Sequence, residues 1–304
     1  MMNVFRAAKP SGAKLLTWAG VTTAAALAIG SWLRQCHERK CLLRAGVIRP
    51  LQSTWYDVDG LRIHARVSEQ SATADRDPVI LIHGLGVSST YFIPSAERLA
   101  LRFAVFTPDL PGHGQSAVMS SHPNIEELAE FALRWMSAAG ISRAAIVGHS
   151  MGCQVAIEMA LREPDRVSRL VLAAPTPDPQ ARNVADQFWR LLVGTLFERT
   201  ALTIIVLKDY LRMGARFVPE FYVMLRYPTE KKLPFLTVPT VVIRGENDPV
   251  VPQRWAEQAA SLVANKHVLV IPGWGHAVQY SAAPEFVEAI VPFLSRNSVE
   301  YNRA

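Results

Sequence analysis

Short apolar runs recur through the chain: Val79–Ile82, Phe103–Phe106, Ala144–Val147 and Arg169–Leu172, then Thr240–Ile243 and His267–Ile271. Each is too brief for a buried helix and is flanked by turn-forming or polar residues. That is the pattern of strands covered on both faces. Between them lie amphipathic stretches at helical spacing, Ile125–Ala139, Met151–Arg162, Gln253–Val263 and Pro284–Leu294, the first with Asn124 placed to cap it. Strand and helix signals that alternate in this way predict an α/β fold with a mostly parallel sheet. Upstream, Trp55–Val58 and Leu61–Val67 flank Asp59-Gly60, a two-residue hairpin signal, and the polar run Ser68–Pro78 reads as a surface connection.

The alternation fails once. From Pro177 to Leu236 there is no short bounded apolar run, only helical stretches crowded with large side chains such as Phe188, Trp189, Leu192, Phe197, Phe221 and Met224. This reads as a helical insertion, over 177–236, in a core formed by 51–176 and 237–304. Residues 1–50 stand apart as a basic and hydrophobic segment. At 304 residues the chain is long enough for one large domain with such an insertion.

The net charge of +6 has to be located before it is interpreted. Residues 1–50 carry eight Lys/Arg against the single acid Glu38, so the remaining chain is close to neutral. A nucleic-acid footprint on the body is therefore not expected. Leu15–Leu33 contains no charged residue, and 19 helical residues reach about 28 Å, near the thickness of a hydrocarbon core. Trp18 and Trp32 sit near its ends, while Thr, Gly and Ala dilute its hydrophobicity. The expectation is a single membrane anchor at 15–33, making the membrane a partner. Basic residues after the segment favour a cytoplasmic body. A cleaved signal peptide with a secreted or periplasmic product, and a soluble or peripheral helix, are the alternatives. Cys36, Cys41 and Cys153 match neither a disulfide framework nor a zinc site.

Gly148-His149-Ser150-Met151-Gly152 follows an apolar run and opens a helix. A G-x-S-x-G sequence in that setting makes a sharp turn that exposes a serine hydroxyl in front of a helix N-terminus. A serine needs a base and an orienting acid to become nucleophilic. His276, in Gly273-Trp274-Gly275-His276, and Asp248, in Gly245-Glu246-Asn247-Asp248-Pro249, each lie just past a strand near the C-terminus. Glu246 and Asp178 are the fallback acids. His83, His113 and His149 read as loop-shaping residues, Asp109 as a loop brace, and Cys153 as a small buried hydrophobe.

These motifs, with His83-Gly84-Leu85-Gly86 and Asp109-Leu110-Pro111-Gly112-His113-Gly114, resemble the α/β-hydrolase fold superfamily of the serine type over roughly Trp55–Leu294. The resemblance implies an eight-stranded sheet with a helical cap. It implies Ser150 as nucleophile, His276 as base, Asp248 as its partner, and the backbone N–H groups of Leu85 and Met151 as oxyanion hole. Neither metal nor cofactor is implied. Serine at position 150 disfavours dehalogenase and epoxide hydrolase chemistry, in which relatives use a carboxylate. The expected function is hydrolysis of a carboxylic ester or related acyl bond of a hydrophobic small molecule. Lactone, thioester and carbon–carbon bond hydrolysis by the same triad are alternatives, as is a non-catalytic ligand-binding protein. Cys153 departs from the second glycine that many relatives carry after the elbow.

Overall fold

The computed structural model of the chain describes residues 29–69, 76–264 and 268–295. Eight strands, β1 (Leu51–Val58), β2 (Leu61–Ser68), β3 (Val79–Ile82), β4 (Val105–Pro108), β5 (Ala144–His149), β6 (Val167–Ala173), β7 (Thr240–Gly245) and β8 (Val268–Ile271), form one sheet in the order β1-β2-β4-β3-β5-β6-β7-β8. The hairpin closes at Asp59-Gly60, where Val58 pairs with Leu61, and β2 runs antiparallel to β4. Every pairing from β4 to β8 is parallel.

Alternate side chains of the central strands feed two separate cores. Ile80, Ile82, Ile146, Leu170, Leu172 and Val242 face one, and Val79, Leu81, Val147, Val171, Val241 and Ile243 the other. A period-2 run that is apolar at every position requires helices on both faces. The helices are α1 (residues 29–44), α2 (Ile93–Leu99), α3 (Ile125–Ala138), α4 (Met151–Arg162), α5 (Val184–Gly194), α6 (Thr200–Met213), α7 (Phe217–Arg226), α8 (Thr229–Lys232), α9 (Gln253–Ser261), α10 (Val278–Ser281) and α11 (Ala283–Ser295). Helices α3, α4 and α9 cover the first face; α2 and α11 cover the second. Helix α3 starts where Asn124 suggested, through a reciprocal capping box with Glu127.

Strand β4 begins two residues later than the apolar run Phe103–Phe106 suggests. The Phe103 N–H donates to Leu99 O at 3.0 Å, so Phe103 is still finishing the turn after α2. Residues between β6 and β7 form α5 to α8. Phe221 and Met224 are buried there, but Phe188, Trp189, Leu192, Leu196, Leu207 and Leu211 are exposed rather than holding that layer down.

The expected membrane anchor is not supported. Residues 15–28 lie outside the described residues, and the described helical residues 29–44 carry Arg34, Glu38, Arg39, Lys40 and Arg44. Among the described residues no helix is long and apolar enough to cross a membrane.

Candidate active site

The chain leaves β3 toward β4 on one side and returns to place β5 on the other, so the loops after β3 and β5 diverge. In a doubly wound sheet that divergence opens a crevice at the C-terminal strand ends. Ser150 stands there, half-buried, between the last residue of β5 and the first of α4. Its backbone, at φ 54° and ψ −121°, lies in a region that L-residues rarely occupy. Its N–H donates to Ala173 O at 3.0 Å, which ties the turn to the end of β6. Gly152 is needed because the turn is pressed onto β3: a Cβ there would sit 2.2 Å from Ile82 O.

The Met151 N–H belongs to the first turn of α4, whose amides have no acceptor within the helix. The loop after β3 passes the same spot, since a Cβ on Gly84 would lie 3.2 Å from Ser150 Cβ. Leu85 follows it, buried. His83 shapes this loop, accepting the Leu110 N–H at Nε2 (2.9 Å) and donating from Nδ1 to Gly84 O (2.8 Å). Burial pushes its pKa down. His113 donates from Nδ1 to Pro111 O (3.1 Å), and burial drives its pKa down to about 3. Asp109 is a brace. Its carboxylate accepts the Gln115 N–H at 2.9 Å and the Ser89 N–H at 2.6 Å, and pairs with His64 Nδ1 at 2.8 Å. Burial opposes its ionisation, but those bonds and nearby His83 take the pKa to about 2.

In the loops after β7 and β8, Asp248 and His276 meet. His276 Nδ1 is 2.9 Å from Asp248 Oδ2, and Asp248 Oδ1 accepts the N–H groups of Val250 (2.8 Å) and Val251 (3.1 Å). With Nδ1 donating to the carboxylate, Nε2 is the basic nitrogen. The two loops interlock at Gly245, where a Cβ would be 2.1 Å from Gly275 O, and the Asn247 N–H reaches Trp274 O at 2.8 Å. Burial alone would lower the His276 pKa, but the charge and hydrogen bond of Asp248, together with Glu198, raise it above the ordinary imidazole value.

The fallback acids are engaged elsewhere. Glu246 is exposed and accepts the Gly273 N–H at 2.7 Å. Asp178 is buried under Arg190 (2.8 Å) and Arg254 (3.0 Å), whose hydrogen bonds hold its carboxyl below the ordinary range against the effect of burial. His149 touches both Tyr91 Oη and, through Nε2 at 2.9 Å, His276 O. It thus supports the loop that carries His276. Cys153 is buried, with Sγ donating to Gly148 O and Ala173 O at 3.2 Å each, and burial raises its pKa well above the usual thiol value.

Glu198 escaped the sequence reading. It sits between α5 and α6, accepts the Ala277 N–H at 2.7 Å and the Ser281 hydroxyl, and so holds the backbone next to His276. Burial raises its pKa despite those bonds. No local pattern flags it, because its partners lie about eighty residues downstream. Among the described residues no group of three or more His, Cys, Asp or Glu side chains could hold a metal ion.

Comparison with known proteins agrees with this architecture. A 264-residue stretch is 27% identical to a protein named carbamate hydrolase RutD from a Caulobacter species, covering 78% of this chain and 97% of that one. A membrane phospholipase A described as a bacterial virulence factor superimposes with a TM-score of 0.69 at 21% identity, over 93% of this chain and 98% of the other. The enol-lactonase of Burkholderia xenovorans does so with a TM-score of 0.64 at 22% identity, over 80% and 100%. At those identities the two structures speak for the fold alone. Residues 79–289, more than half of the chain, match the Alpha/beta hydrolase family, and the chain is a hydrolase belonging to that family.

Proposed function

We propose that the protein hydrolyses a carboxylic ester or related acyl bond of a hydrophobic small molecule through an acyl-enzyme on Ser150. The observation that carries this reading is the strained, half-buried Ser150 at a strand-to-helix turn, whose neighbour His149 is 2.9 Å from the carbonyl of a histidine that is itself paired at 2.9 Å with a buried carboxylate. His276 Nε2 takes the Ser150 proton as Oγ attacks the carbonyl carbon, and Asp248 stabilises the imidazolium that results. The developing oxyanion is met by the N–H groups of Met151 and Leu85. One such donor typically contributes about 3 to 4 kcal/mol to the transition state. The imidazolium protonates the leaving group, and a water activated by His276 then releases the acid.

The test is labelling with a fluorophosphonate probe, beside turnover of p-nitrophenyl esters of increasing chain length. Wild type should label, and Ser150→Ala and His276→Ala should not. Folded wild-type protein that fails to label would overturn the assignment, and flat low turnover across the panel would point to a different acyl bond.

The raised His276 pKa has a signed consequence. The base must be neutral, so kcat/KM is lost as pH falls through the raised value, and the acid limb should lie above the ordinary imidazole range. Glu198 favours the imidazolium, so Glu198→Gln should move that limb to lower pH. A pH–rate profile unchanged in Glu198→Gln would reduce Glu198 to a loop tether.

A further inference from the structure

Helix α1 does not lie flat on the body. Between it and helices α2, α6 and α11 is a cavity of about 280 Å³, away from Ser150 and lined in part by Trp32, Leu42, Ile48, Ile93 and Ile205. Four arginines, Arg39, Arg66, Arg98 and Arg199, also line it.

Two of these have acidic neighbours. Arg39 Nε is 2.8 and 3.0 Å from the carboxylate oxygens of buried Glu97, and Arg199 is 4.0 Å from the exposed Glu38. The other two have no carboxylate in close ion-pair contact among the described residues: Asp109, Glu97 and Asp209 act on Arg66, and Glu38, Glu97 and Glu285 on Arg98, only from a distance. Among the described residues Arg98 donates to Pro94 O in its own helix (2.7 Å). The Nε of Arg66 is buried and has no hydrogen-bond partner among the described residues. Burial lowers the pKa of both guanidinium groups, the effect expected of cations removed from water without full compensation.

A partly buried cation without a partner is costly, and a carboxylate is the group whose two oxygens match a guanidinium fork. A small anion would leave the aliphatic wall wet, whereas an alkyl chain would remove it from water at about 25 cal/mol per Å². We propose that this cavity is a binding site for an anionic amphiphile, with its carboxylate on Arg66 and Arg98 and its chain along α1 and α2. The site is separate from the proposed catalytic centre and does not depend on that assignment.

Calorimetric titration of the full-length chain with decanoate, decan-1-ol and acetate tests this, with and without prior fluorophosphonate treatment. Decanoate should bind in both samples, with decanol and acetate at least tenfold weaker. Arg66→Gln, which removes the cation, and Leu42→Trp, which fills the cavity from α1, should each weaken decanoate at least tenfold while leaving ester turnover unchanged. If Arg66→Gln does not fold, Leu42→Trp still decides the matter. Decanol binding as tightly as decanoate, retention of binding in the variants, or loss of binding after fluorophosphonate treatment would each overturn the proposal.

Discussion

Ser150→Ala is expected to lower kcat by roughly a millionfold, with far-UV circular dichroism unchanged, the scale on which triad nucleophiles fail elsewhere. The residue left behind keeps the backbone at φ 54°, and no hydrogen bond of the Ser150 hydroxyl contributes to the turn. The same position gives a second, opposite readout. A non-glycine residue in this region stores about 1 to 3 kcal/mol of strain, offset in part by the greater chain entropy of glycine. Ser150→Gly should therefore be as inactive as Ser150→Ala and more stable than it by about 1 kcal/mol in urea denaturation. Equal stability of the two variants would mean that the turn is relaxed, and residual activity near wild type would remove Ser150 from the mechanism.

Asp248→Asn is expected to cost about 10⁴-fold in kcat/KM through the tautomer of His276 rather than through its position. In the native arrangement Oδ2 accepts from Nδ1 at 2.9 Å while Oδ1 accepts the N–H groups of Val250 and Val251. An asparagine keeps its carbonyl on those two N–H groups and turns its NH₂ toward Nδ1. The imidazole must then carry its proton on Nε2, where it cannot accept one from serine. The substitution also withdraws a charge that raises the His276 pKa, so the residual activity should show an acid limb at lower pH than wild type. Nearly full activity in Asp248→Asn would point to another acid, and the profile of Glu198→Asp compared with Glu198→Gln would show whether Glu198 serves.

The parts of this arrangement that could be read from sequence are those whose physics is local. Asn124 announces the start of α3 because an N-cap acts on backbone only three residues away. Gly152 announces the turn because the backbone of β3 leaves no room for a side chain. Asp248 and His276 could be matched because each follows its own strand, and neighbouring parallel strands deliver their loops to one edge. What resisted reading depends on distant contacts. Glu198 is distinguished only by the Ala277 N–H and the Ser281 hydroxyl, and the Tyr91–His149 contact joins the segment after β3 to the end of β5. The large apolar residues of α5 and α6 misled for the converse reason. Composition says they are hydrophobic, but not that Phe188, Trp189 and Leu211 face outward.

Strands β6 and β7 are immediate neighbours, with Leu170 opposite Thr240 and Ala173 opposite Ile243, yet α5 to α8 all lie between them in the chain. The segment therefore leaves and re-enters the sheet through one doorway, and closing a longer or shorter excursion there costs little, about 0.6 kcal/mol for each doubling of loop length. Heredity can thus rewrite this segment as a cassette, exchanging α5 to α8 while the sheet keeps its registers.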